Sequence, residues 1–217
     1  MSDHNVSARV WAGGALLGVP LASAFHFGWW LPLHLALLGA ASQAIVGGQL
    51  MFSATLGLAR GPSRSTTLIQ LALLNVGAAL VIGGRMWDSR GAFALGATIF
   101  ASVIGWVMWQ VDRLWRRSVN RRFAITGTFY RLAGASILIG ATIGAALGIG
   151  AFDDASSYLE RRSVHMALNV LGWAGLTVVG TAITLLPTIL HVRAPKLRAV
   201  RAAPWLMSGG LALLATG

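Results

Sequence analysis

Hydrophobic positions along this chain gather into long unbroken runs: Val10–Phe27, Leu33–Leu58, Thr67–Gly84, Ala92–Val111, Leu132–Ile149 and Val164–Leu190, with a shorter piece from Pro204. A bilayer core about 30 Å thick takes roughly 20 apolar helical residues to cross, so the six runs are long enough to span. Lipid offers the backbone no hydrogen bonds, and no run alternates with the period of two expected of a barrel strand, so the spans should be helices. The expected fold is an all-α polytopic transmembrane helical bundle: six full spans plus a partial seventh, in a single transmembrane domain over residues 1–217. The fourteen residues from Pro204 reach only about 21 Å, which points to a half-span or a truncated carboxyl terminus.

The start of the chain has a second reading. Arg9, the apolar run after it and the small residues Ala22, Ser23 and Ala24 also fit a secretory signal peptide with its cleavage site. Against cleavage, the chain stays apolar through Trp29 and Trp30 and enters the next run almost without a loop, so a retained span is expected.

Composition agrees with a membrane protein: 56% of residues are hydrophobic and 11% charged, against about one-quarter charged in soluble domains. A net charge of +11 would suggest nucleic acid, but the placement of the charges argues otherwise. With a cytoplasmic amino terminus, the basic residues at 9, 60, 64, 113, 116, 117, 121, 122, 131, 193, 196, 198 and 201 fall inside. Only Arg85, Arg90, Arg161 and Arg162 fall outside, together with Asp88, Asp153, Asp154 and Glu160. This bias orients the protein in its membrane with the amino terminus in the cytoplasm, and makes the lipid bilayer, not nucleic acid, the partner of the basic loops. An oligomer stays open. Trp29, Trp30 and Trp87 at outer ends, and Trp11, Trp109, Trp115 and Trp205 at inner ends, read as interfacial belts.

An internal repeat is suggested by setting the segment from Leu38 over that from Leu171, at an offset of 133 residues. Leu38/Leu171, Gly39/Gly172, Val46/Val179, Gly47/Gly180, Thr55/Thr188, Arg60/Arg193 and Pro62/Pro195 match without a gap, which would pair span two with span six as a parallel duplication. The ridge Gly140, Gly144, Gly148 in span five lets a neighbouring helix approach closely, a packing role.

Candidate chemistry is narrow. Cysteine is absent, which removes iron–sulfur clusters, covalent c-type haem, thiolate zinc and disulfides. The spans hold no Asp, Glu or Lys, which weighs against ion-coupled pumps and hydrolytic catalytic pairs. Histidine remains. His4 and His191 read as inner interfacial residues, whereas His26, His34 and His165 stand at outer ends of spans one, two and six. Two readings stand for these three: contact with headgroups and water, or metal or haem binding through neutral imidazole. In the second, His34, His165 and His26 are the candidate ligands, Asn169 orients a ligand from the face of His165, Arg161 and Arg162 pair with haem propionates, and Gly172 makes room for a macrocycle. Gln43, Gln49, Gln70 and Asn75 read as interhelical hydrogen-bonding groups.

The segments WLPLHLALLGAASQAIVGGQLMF (from Trp30) and HMALNVLGWAGLTVVGTAITLLPTILHVR (from His165) resemble the membrane portion of actinobacterial copper oxidases and copper-containing nitrite reductase-like proteins, where a helical domain can precede cupredoxin domains. More distantly they resemble the NnrS family and subunit I of haem–copper oxidases. The resemblance implies a domain holding haem b or copper, with His34 and His165 at the family's span-opening positions. It also implies electron transfer linked to nitrogen-oxide or oxygen metabolism, with a periplasmic cupredoxin or quinone as redox partner. Gln49 and Met51 stand where the resemblance calls for a second histidine, and no complete active site of an enzyme is visible. The alternative is a cofactor-free anchor, assembly factor or transporter module.

Overall fold

The structure, a computed structural model, describes residues 2–24, 28–120, 123–152, 154–192 and 197–216. Among them every regular element is helical. The helices are α1 (Ser2–Ala24), α2 (Trp30–Gly57), α3 (Arg64–Met86), α4 (Arg90–Arg116), α5 (Ala124–Ile149), α6 (Ala155–Ile189) and α7 (Leu197–Thr216). Five of them, α2 to α6, are long and apolar enough to cross a membrane.

Several helices outrun the hydrophobic stretches that announced them. An apolar run marks the part suited to lipid, whereas a helix continues until its end groups find other partners. Thus α6 begins at Ala155 because Asp154 accepts the Ser157 N–H at 2.7 Å, and α3 begins at Arg64 because Ser63 accepts from Thr66 at 3.2 Å. The piece expected from Pro204 belongs to a 20-residue helix starting at Leu197. Pro204 lies inside it, where a proline forfeits one backbone bond without ending the helix.

The contacts divide the chain into two compact units, Met1–Gly48 with Pro62–Val103, and Gln49–Gly61 with Ile104–Gly217. In the first, α1 runs antiparallel to α2. Gly18 faces Pro32 and Leu35, Trp11 lies on Gly39, and His4 lies on Gly47. From α3, Asn75 accepts hydrogen bonds from Trp11 Nε1 at 2.6 Å and from Ser7 at 2.9 Å. The α3–α4 pair touches backbone to backbone at Gly77, Gly84 and Gly96, where a side chain would strike Phe100, Phe93 and Val81.

In the second unit, α5 runs antiparallel to α6. His165 lies on Gly144, Ser136 on Gly172 and Phe129 on Gly180, and Leu211 of α7 packs with Val164 and Leu168. Thr126 donates to the Gly180 carbonyl at 3.1 Å and meets Thr184 at 2.5 Å. Tyr130 bonds Thr181 at 2.7 Å, and Gln49 donates to Thr177 at 2.8 Å.

Both long helices that carry these stripes are underwound. Residues Leu35–Ala41 of α2 and Leu168–Gly175 of α6 are π-helical, closing at Ser42 N–H to Leu37 O and at Leu176 N–H to Leu171 O. A normal α-helix turns about 100° per residue, so positions four apart drift by about 40° each step around the cylinder. A π stretch takes more residues per turn and reverses that drift. Residues 35, 39, 43 and 47 therefore keep facing α1, and residues 168, 172 and 180 keep facing α5.

The glycines of these stripes generate a test. A methyl at Gly39 would come to 2.5 Å from the Trp11 ring, and one at Gly172 to 2.6 Å from Ser136 Cβ. Gly39→Ala and Gly172→Ala should each cost about 1–3 kcal/mol, read as a lower midpoint in thermal unfolding of the purified protein. Gly13→Ala, which meets open space, serves as control and should leave the midpoint unchanged.

Candidate functional site

The most developed polar constellation lies where α6 crosses the glycine ridge of α5. His165 Nδ1 is 2.8 Å from the Gly140 carbonyl. A carbonyl only accepts, so this nitrogen carries the proton and the lone pair of the neutral ring is on Nε2. The Asn169 amide nitrogen, one turn along α6, stands 3.2 Å from Nε2, against the face of the ring. Its similar distance to Nδ1, 3.1 Å, joins two N–H groups and is not a hydrogen bond. The imidazole fits because residue 144 is glycine: a Cβ there would fall 2.5 Å from His165 Cε1. A Cβ at Gly140 would likewise strike the Asn169 side chain, whose buried Oδ1 has no partner among the described residues. The ridge read as a packing device thus seats both polar residues.

His34 belongs to the first unit and is held differently. Its Nδ1–H bonds the Trp30 carbonyl of its own helix at 2.8 Å, and its ring stacks on Trp30 with centroids 4.1 Å apart. This again fixes the tautomer with the lone pair on Nε2. His165, through Gly140, bonds a neighbouring helix. Arg161 and Arg162 are exposed in the first half of α6, two turns or less before the π stretch. His26 lies outside the described residues. Among the described residues no group of three or more His, Asp or Glu side chains is close enough to hold a metal ion.

Two placements differ from the reading of the sequence. His4 is not an interfacial tail residue: α1 already starts at Ser2, and His4 is 1% exposed, with Nδ1 bonded to Gln43 at 3.0 Å and Nε2 without a partner among the described residues. Nor do Trp11 and Trp115 join the aromatic belts. Trp11 turns inward to Asn75, and Trp115 packs on Gly127 at 5% exposure, while Trp29, Trp87, Trp109 and Trp205 are exposed. The threonines at 126, 177, 181 and 184 form a bonding ladder that the hydrophobic runs do not reveal; the last three recur at helical spacing on one face of α6, the signal that marks it.

Comparison with protein-family models, with curated proteins and with solved structures finds no match to this chain.

Thr126→Val removes two interhelical bonds with little change of shape, and should lower unfolding stability by about 1–2 kcal/mol in a denaturant or thermal assay. At the start of α6, the Ser156 hydroxyl and then the Ser157 amide, both donating to Asp154, hold its carboxyl well below the usual carboxylate range. A depressed value in the folded state means that this cap is intact above the ordinary carboxylate pKa and is lost as pH falls through the lower one. Amide exchange at Ser157, corrected for intrinsic rate, should therefore stay slow from neutral pH to below about pH 4. In Asp154→Ala the same amide should exchange fast throughout.

Proposed function

We propose that this chain is a membrane-embedded cofactor module, holding haem b or copper through imidazole and passing electrons in nitrogen-oxide or oxygen metabolism. The observation that carries the reading is shared by His34 and His165: in each, a backbone carbonyl takes the Nδ1 proton and leaves the lone pair on Nε2, the arrangement of a metal-ligating histidine. In this reading His34 and His165 are the ligands, with His26 as a third candidate, Asn169 orients the His165 ring, and Arg161 and Arg162 receive propionates. The bound group supplies one-electron chemistry; the residues supply orientation, a fixed tautomer and a site away from water. A periplasmic cupredoxin or a quinone is the redox partner. The module lies in the bacterial inner membrane with a cytoplasmic amino terminus, and α1 and α7 complete six spans and a seventh segment.

The same reading takes α1–α2–α3 and α5–α6–α7 as two copies of one unit. The π stretches begin at residues 35 and 168, the following helices at 64 and 197, and the paired glycines lie at 39/172 and 47/180, all at the offset of 133 read from sequence. On the preceding helix, Trp11 and His4 answer to Ser136 and Phe129, both at an offset of 125.

A cofactor-free anchor or transporter module is the second reading, favoured by one observation: the His165 ring is already enclosed by protein, with Nδ1 on the Gly140 carbonyl, Cε1 seated on Gly144 and the Asn169 amide against its face.

A reduced-minus-oxidised visible spectrum with metal analysis separates the two. The cofactor reading expects a b-type haem spectrum or stoichiometric copper in the native protein, lost in both His34→Ala and His165→Ala. Folded protein, produced with ample haem and copper, that carries neither would refute it.

A further inference from the structure

One end of the second unit combines features that the cofactor reading does not use. Here α2 ends, α4 ends and α5 begins. The Gly57 carbonyl accepts the Val119 N–H at 3.2 Å, which ties the loop after α2 to the loop after α4 and sets Leu58 beside Val119. Both are apolar tips, 70% and 79% exposed, and Leu58 adopts the left-handed conformation (φ 51°) that a leucine rarely takes. Trp109, 55% exposed on the last turns of α4, carries the Arg113 guanidinium 5.1 Å above its ring.

The basic residues around these tips are partly preorganised. Asp112 takes Arg116 Nε on one oxygen at 2.5 Å and Arg131 Nε on the other at 2.7 Å, so one carboxylate sets two guanidiniums from different helices. Each pair uses Nε and leaves the terminal NH2 groups for another acceptor. Arg113 and Arg117, on either side of Arg116 along the end of α4, and Arg60, three residues after Gly57, are exposed as well.

We propose that this surface is a binding site for the phosphate of anionic phospholipid headgroups. Arg116 and Arg131 act as a paired clamp, Arg113 and Arg117 flank it, and Leu58, Val119 and Trp109 enter the boundary between headgroups and acyl chains. Excess positive charge calls for an anion. Exposed aliphatic and indole groups beside that charge select an anion carried on a hydrocarbon surface over one free in water.

The test compares thermal midpoints of the full chain in phosphatidylcholine nanodiscs and in the same discs doped with phosphatidylglycerol. The expected result is a rise of about 3 °C or more with phosphatidylglycerol, reduced by at least half in R116Q/R131Q and in R113Q/R117Q. The second variant leaves the Asp112 ion pairs intact, and an unchanged midpoint in undoped discs shows that its loss of response is not a folding defect. Equal midpoints of the native protein in both lipids would overturn the proposal, as would a full response in R113Q/R117Q. So would an equal rise produced by inorganic phosphate in undoped discs, which would make this a site for the free anion.

Discussion

Everything in each unit rests on one geometric constraint: two antiparallel helices stay in contact over four turns, although a straight α-helix would carry its contact stripe round the cylinder. In lipid there is little hydrophobic gain from joining two apolar helices, so close packing and interhelical hydrogen bonds must hold them. Both need a stripe that does not wander. The π stretches after residues 34 and 167 supply it, and buried Gly39 and Gly172 let the opposite helix close onto the underwound backbone.

On this joint the two units hang different chemistry. Where the first presents His4 to Gln43 and Gly47, the second presents Phe129 to Gly180, with Leu176 at the position equivalent to Gln43. A ring over a glycine is the packing element common to both; the hydrogen-bonding pair is not needed for it. Conversely, the His165–Asn169 pair occupies the stretch where the first unit has Pro32 and Ala36. Polarity was thus placed at a different depth in each unit, and in each case beside a glycine that makes room for it.

Hydrophobic runs sufficed to find the long helices, because a span must be apolar for its whole length. They miss the ends of α1, α5, α6 and α7, where the helix continues past the apolar count, in α6 as far as the Asp154 cap. The 133-residue offset was legible from matched glycines, since a glycine at a helix contact tolerates no substitute. The π stretches were not, because underwinding leaves no mark in composition. Asn169 beside His165 followed from i, i+4 spacing. That His4 would be buried did not follow, since a histidine four residues from an amino terminus looks like a tail residue until the helix is seen to start at Ser2. His34 and His165 stand at similar positions in the sequence, yet one ring bonds its own helix and the other reaches across to α5.

The natural absence of cysteine gives a clean background for testing the joint directly. Disulfide formation in H4C/G47C and in F129C/G180C, with controls shifted by two residues on one helix, reads the register of both units at once. Rapid cross-linking of both pairs and none of the controls is the predicted result. Cross-linking of either shifted control in preference to its pair would contradict the shared register, and with it the account of both units as one π-jointed design.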